Sequence, residues 1–500
     1  MKRMVALLLL LGTIAVSAGF AEAKTFSYTL ISKMNETNPR VVAIAIDFEK
    51  VLALNWELDT AFQVQAELFP VKAYSGDLIA NSAAAKASRT IKRAYTSAKP
   101  ELGNPGYGKY VIVEMDPYDY NGSAWYCGFN PDIRQYADYG DNLAYSVKLL
   151  QEINYLVPNV GTGPLAKPGS IVDTVKTDST FRLTDRKVLY VDDYIQALYT
   201  DESNNAVKAL GYNFYQPSGL PADAKVPLVV FLHGSGSSHD YRYFPNDLMR
   251  DVKSPLVTFQ AGTSFIEMAG EKTFVLVPQM PARDLKDAKG ESGWSHADIY
   301  KLLLGLVDKL IAENPAIDTN RLYITGLSMG GIGIWKIITD PNPAIASKFA
   351  AAVIDCGTPA YSVPSVDSAV AYNAKVVEAL SALNYDTVKV PVWFFHADTD
   401  PLVSILAPRV AFAKLTGKAT VAITGELKPF SSITKSDNGL VRYYASVGET
   451  SGKDVRFTEY QFGDGSRFRD LGMLTPAAHC SWEAVYKTQA MFDWMFSQKK

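Results

Sequence analysis

The segment "YITGLSMGGIGIW", Tyr323 to Trp335, sets Ser328 between Gly326 and Gly330 at the end of an apolar β-branched run. Glycine two positions away on either side suits a strand-to-helix turn so tight that only hydrogens fit beside the serine. A serine hydroxyl is a poor nucleophile until a neighbouring imidazole takes its proton. The imidazole in turn needs a carboxylate to fix its tautomer and stabilise the cation that forms. On a turn of this kind the chain order is serine, acid, histidine. The five histidines are His233, His239, His296, His396 and His479, and only two follow Ser328. His396 closes the apolar run "VWFFH", which leaves His479, in "AAHCSWEAVY", as the base. Asp398 and Asp400 in "ADTDPLV" both qualify as the acid, and spacing does not choose between them.

Acyl transfer also needs donors for the oxyanion. One is the N–H of Met329, directly after the nucleophile at the start of a helix. The other is expected from "FLHGSGSS", where Gly234 and Gly236 let the backbone approach a substrate and Ser235 N–H is the preferred donor. That loop lacks the Lys-Ser/Thr ending of a phosphate-binding P-loop. His233, Gly234 and Trp294 are expected to line the pocket, with a helix-start anchor on the core as the rival role for Trp294.

These residues need a scaffold. From about residue 186 strands alternate with helices, which implies an α/β fold with a mostly parallel sheet covered on both faces. "VPLVVFLHG" and "TFVLVPQ" are continuous apolar runs, as buried parallel strands should be. "SHADIYKLLLGLVDKLIAENP" carries helical apolar spacing, with Ser295 and Asp298 as a capping-box start. Residues 24–185 read differently. "AFQVQAELF" alternates strictly, and "VVAIAIDF", "TIKRAYTS" and "KYVIVEM" are further strands, which together predict a β-sandwich. The tyrosine-rich stretch 116–140 is read as a loop packing on its own domain, with sugar stacking as the sharper alternative. Thr416–Asp454 is longer than such a fold requires, and a loop of that length is expected to shape the site.

The chain has 500 residues, 48% of them hydrophobic and 20% charged, with a net charge of −3. That is enough for two domains and gives no electrostatic reason to expect nucleic acid. Lys2 and Arg3, the apolar run Met4–Val16 and "AEA" at 21–23 predict a signal peptide over residues 1–23, hence a secreted or periplasmic protein. The apolar run is short of the roughly 20 residues that span a bilayer, and no later segment is long and apolar enough to do so. Cys127, Cys356 and Cys480 match no zinc spacing, and the scattered histidines predict no metal site. No cofactor is expected.

"PLVVFLHGSG", "NRLYITGLSMGGIGIW", "VWFFHADTDPLV" and "AHCSWEAVY" resemble secreted α/β-hydrolase esterases related to polyhydroxybutyrate depolymerases and feruloyl esterases. The resemblance is greatest to members with an immunoglobulin-like N-terminal domain. It implies an immunoglobulin-like β domain over 24–185 and an α/β-hydrolase catalytic domain over 186–500. Ser328 is then the nucleophile and His479 the base. The family pattern H-G-x-x-D-x-x-V, counted from His396 to Val403, puts the acid at Asp400, with Ala397 in place of the usual glycine. A related disulfide next to the catalytic histidine suggests a Cys356–Cys480 bridge here. The implied substrate is a small-molecule or polymer-linked ester of a short acyl or aryl acid. A peptidase or amidase of the same fold, and an inactive binding scaffold, remain the alternatives.

Overall fold

The computed structural model describes residues 23–500 except 36–37, 53–57, 70–84, 120–126, 131–134, 139–142, 157–170, 206, 236–256, 283, 360–368, 450 and 474–476. The expected leader, apart from Ala23, lies outside these residues, as do Gly236 and much of the tyrosine-rich stretch.

Alternation builds the first part. Phe62, Val64 and Ala66 are buried while Gln63 and Gln65 are exposed, so the strand Phe62–Leu68 has one dry face and one wet one. It pairs with Ala85–Ser88 and Leu143–Leu149 in a three-stranded sheet. A five-stranded sheet runs Thr180–Val188, Thr25–Asn35, Asn38–Leu52, Gly108–Met115, Ile91–Ser97. The inner faces share one core: Phe26, Ile44, Phe48 and Val111 meet Phe62, Val64 and Leu143. Ring pairs tie the layers, with Phe62 and Phe181 edge-to-face at 6.5 Å between centroids. Burial of each such side chain contributes about 1.5–3 kcal/mol.

The chain changes sheet between Val188 and Tyr194. Ten strands then follow in the spatial order Tyr194–Thr200, Ala209–Tyr215, Phe274–Pro278, Val226–Leu232, Ile317–Leu327, Ala351–Asp355, Val392–Ala397, Asp454–Tyr460, Val441–Val447, Thr434–Asp437. The six from Phe274–Pro278 to Asp454–Tyr460 are parallel. Successive residues of the central strands feed two different cores. Val229 and Phe231 join one, Leu228, Val230 and Leu232 the other. Both faces are therefore dry. Helices Ala297–Glu313, Met329–Ile338 and Leu406–Thr416 cover one face, and the C-terminal helix Gln489–Ser497 the other. This is the α/β-hydrolase fold, preceded by an immunoglobulin-like domain. Among the described residues no helix is long and apolar enough to cross a membrane.

Two expectations change here. The helix Ala297–Glu313 is capped by His296, whose Nδ1 accepts the Asp298 N–H at 3.2 Å, and not by Ser295. Ser295 instead donates its hydroxyl back to Ser292 O. The long interval 416–454 is not one open loop: it holds a hairpin, Ala419–Val421 with Leu427–Pro429, and two antiparallel strands, Thr434–Asp437 and Val441–Val447, added to the sheet edge. In those strands the backbone groups are satisfied by pairing.

The crossing at the centre is close. A Cβ on Gly330 would lie 2.0 Å from Leu232 O, whereas one on Gly106 would meet nothing within 4 Å. Gly330→Ala should therefore destabilise the protein by about 3 kcal/mol or more in denaturant titrations. Gly106→Ala should leave the midpoint within about 0.5 kcal/mol of wild type.

Candidate active site

Ser328 sits between the strand Ile317–Leu327 and the helix Met329–Ile338, with φ +51° and ψ −118°. A non-glycine residue at positive φ costs about 1–3 kcal/mol and persists only where its surroundings enforce it. Here they do: a Cβ on Gly326 would come within 2.6 Å of Leu232 O, and Gly330 is tighter still. The Ser328 N–H is held by Asp355 O at 3.0 Å. The side chain is thus thrust out at the carboxyl ends of the parallel strands.

His479 lies on a short helical turn, Ala478–Cys480, beyond the last parallel strand. Its Nε2 is 2.9 Å from Ser328 Oγ and its Nδ1 is 2.8 Å from Asp400 Oδ2. The Trp482 ring stands edge-on to the imidazole at 5.4 Å. The Asp400 side chain is fully buried, and both of its oxygens are engaged. Oδ1 accepts the N–H groups of Leu402 and Val403 at 2.8 and 3.0 Å. Oδ2 faces His479 and also His396 Nε2 at 3.2 Å. Burial works to raise the Asp400 pKa, but hydrogen bonds from the two histidines outweigh it and hold the carboxyl well below the usual range. Asp398 takes no part. It accepts the N–H groups of Phe462 and Gly463 at 2.9 and 3.2 Å and so pins the acid loop to the chain after Tyr460. The two candidate aspartates are thereby separated by geometry, one on the imidazole and one on a turn.

The loop after Val226–Leu232 comes alongside. A Cβ on Gly234 would be 2.7 Å from Leu327 Cδ1 and 3.6 Å from Ser328 Cβ, so this backbone runs beside the serine. Ser235, half-buried, follows directly. The Met329 N–H is the first of its helix and precedes the ladder that begins with Ile332 N–H to Ser328 O.

His233 and Trp294 do not line a pocket. Both are fully buried. His233 Nδ1–H donates to Gly234 O at 2.8 Å, and its Nε2 accepts the Met280 N–H at 2.9 Å, which fixes the tautomer. Trp294 Nε1–H donates to His233 O at 3.1 Å, and the two rings meet edge-to-face at 5.4 Å. They clamp the glycine loop from behind. The reason is steric and polar together: Gly333 leaves room for the Cβ and backbone of Trp294, and the indole N–H finds its partner inward.

The Cys356–Cys480 bridge is not formed, and both cysteines are free. Cys356 Sγ points instead toward Asp355 Oδ2, 3.7 Å away. Burial pushes the Cys356 thiol up, and that of Cys480 to about 12, so neither is a thiolate near neutrality. Cys356, Asp400 and His479 bring potential ligand atoms within 4.8 Å of one another. The Asp400 oxygens already face two imidazoles and two backbone N–H groups, which leaves no open carboxylate for a cation.

Sequence reasoning passes over His396. Its Nε2–H donates to Val403 O at 2.8 Å while facing Asp400. The i, i+4 spacing of His396 and Asp400 is the available signal.

Burial lowers the pKa of His233 from 6.5 to about 4. The unfolded chain therefore takes up this proton first, and stability present above pH 6.5 is lost as pH falls toward 4. The loss should reach about 3 kcal/mol. Guanidinium midpoints measured between pH 4 and 7 should fall less steeply with acid in His233→Asn than in wild type.

The chain is similar to known proteins. Residues 27–157 match the family model of the esterase Ig-like N-terminal domain. A crystal structure of a thermostable esterase is similar over 95% of this chain and 100% of its own, at 25% identity and a TM-score of 0.60. Esterase 2 of Thermogutta terrifontis, phosphoramylated by tabun, covers 61% of this chain and 96% of its own, at 12% identity and a TM-score of 0.36. An arylesterase structure covers 61% and 85%, at 11% identity and 0.35. No curated protein sequence matches. Domain for domain, the architecture of this chain is that of the esterases with an Ig-like N-terminal domain: an Ig-like domain followed by an α/β-hydrolase domain.

Proposed function

We propose that this protein is a secreted serine hydrolase that cleaves carboxylic esters through an acyl-enzyme. The observation that carries the reading is the unbroken hydrogen-bonded line from Ser328 Oγ through both nitrogens of His479 to Asp400. Similarity over full length to a thermostable esterase supports ester hydrolysis as the reaction class.

Ser328 Oγ attacks the ester carbonyl as His479 Nε2 takes its proton. Asp400, ionised and hydrogen-bonded to Nδ1–H, steadies the imidazolium that forms. Charge develops on the carbonyl oxygen, and the N–H groups of Met329 and Ser235 are the donors assigned to it. Collapse expels the alcohol, which takes the proton back from Nε2. Water then attacks the acyl carbon as His479 Nε2 takes its proton, and collapse releases the acid and expels Ser328 Oγ, which takes that proton back. The substrate class is short acyl or aryl esters, free or linked to a polymer. The leader at 1–23 makes the site of action extracellular or periplasmic.

Purified Lys24–Lys500 should hydrolyse aryl esters of graded acyl length, and Ser328→Ala should lose at least about 10⁴-fold in kcat. Unchanged turnover in that variant would sink the assignment. Amide turnover matching ester turnover would make the enzyme a peptidase instead. No turnover and no fluorophosphonate labelling of wild type would leave a binding scaffold.

Activity should also fall as pH is lowered, because the base must be neutral to accept a proton. Asp400 stays ionised throughout, since its two histidine donors hold its pKa far down. The acid limb of log kcat/KM should therefore have unit slope, one proton and not two. Asp400→Asn should cost about 10³–10⁴-fold in kcat through the wrong tautomer of His479.

A further inference from the structure

Asp355 is a buried acid that the proposed reaction does not use. It ends the strand Ala351–Asp355, in register with Leu327 on one side and Phe395 on the other. It therefore lies between the strand that delivers the nucleophile and the one that leads to the acid. Its main-chain carbonyl accepts the Ser328 N–H at 3.0 Å. Its side chain, fully buried, reaches the other way, and Oδ1 accepts the Ser481 hydroxyl at 2.8 Å. Ser481 is also fully buried and stands two residues beyond His479. Its carbonyl takes the N–H groups of Ala484 and Val485, so it starts the helix Trp482–Val485 that directly follows the turn carrying the imidazole.

One residue thus holds the nucleophile by its backbone and, by its side chain, the serine two residues beyond the base. The chain turns sharply after it: Cys356 has φ +39°, and its N–H is fixed to Phe395 O at 2.9 Å. Such a non-glycine conformation persists where neighbours enforce it.

We propose that Asp355, acting through Ser481, is a positioning residue that sets the spacing between Ser328 Oγ and His479 Nε2. The proposal rests on the serine-hydrolase reading given above. Burial, joined by the nearby Asp400 charge, raises the Asp355 pKa well above the usual value. The shift favours the neutral form, which sets no second negative charge behind the Asp400–His479 pair.

The test uses the mature chain and its variants Ser481→Ala, Asp355→Ala and Asp355→Asn, with an aryl ester as substrate. Ser481→Ala and Asp355→Ala should lower kcat by about 10–100-fold, the scale of a misplacement near 1 Å, with KM changed less than about twofold. Asp355→Asn should recover most of what Asp355→Ala loses, because its amide oxygen still accepts from Ser481 in the same volume. Fluorophosphonate labelling of each folded variant should slow in step with kcat. Wild-type kcat in folded Ser481→Ala would overturn the proposal, as would a kcat in Asp355→Asn no better than in Asp355→Ala. If Asp355→Ala fails to fold, Ser481→Ala, which removes one oxygen, decides alone. Failure of the underlying reading is separate and is seen first, as an undiminished rate in Ser328→Ala.

Discussion

The site depends on how closely the turn at Ser328 approaches the neighbouring strand. Leu232 O sits where Cβ atoms of residues 326 and 330 would be, so both positions must be glycine. That approach forces the positive φ at Ser328, and the positive φ aims the hydroxyl out of the sheet. It also draws the Gly234 backbone to the serine's side, because Gly234 continues the same strand. Nucleophile and glycine loop are consequences of one packing contact, and a helix dipole is added where Met329 begins the helix. Stability is lost at this turn and recovered in the apolar strands that hold it.

Electrostatics sorts the buried acids behind it. The side chains of Asp355 and Asp400 both lie fully inside the protein, yet their pKa values move in opposite directions. Desolvation acts on each. Asp400 is met by two imidazoles and two backbone N–H groups, all of which favour the charged form. Asp355 is met by a serine hydroxyl and a thiol, and by the charge of Asp400 itself, which disfavours a second one. Of these two acids it is Asp400, on the far side of the imidazole from the serine, whose charged form is favoured. His233, buried and neutral, adds no competing charge on the other side.

The serine turn, the order of acid and histidine, and the parallel strands are legible in the sequence because each rests on local pattern. Glycine spacing around Ser328 reports a steric need, and unbroken apolar runs such as Val226–Leu232 report burial on two faces. The choice between Asp398 and Asp400 is not legible from spacing, because both precede turns and both accept backbone N–H groups. What separates them is the position of the Phe462–Gly463 loop, set by long-range pairing. Trp294 reads two ways from sequence, pocket wall or helix-start anchor, and its full burial in the core agrees with the anchor. An indole next to a site reads as pocket wall until its N–H is seen to turn inward to His233 O. Asp355 and Ser481, 126 positions apart, carry no mutual signal in the sequence at all.

The first domain is joined to the catalytic one by more than a linker. The core of the sandwich continues through Val188, Val191 and Tyr194 into Phe231, Phe265 and Val277 of the second domain. The helix Val257–Glu267 stands at this junction. Lys33, on a strand of the sandwich, pairs with Glu267 at its end at 2.9 Å. Both side chains are partly exposed, so this ion pair contributes little beyond about 0–1 kcal/mol. The apolar continuity contributes more, since each fully buried aromatic there is worth about 1.5–3 kcal/mol. Phe265 packs on Tyr486 and Phe492, which belong to the chain following His479. The same helix therefore touches the histidine's own C-terminal segment, and Tyr486 closes the line by its hydroxyl contact with Thr325 at 3.0 Å, three residues before Ser328. Removing the sandwich would expose the outer side of a helix whose inner side supports the segment carrying the base, which makes the first domain part of the mounting of the site.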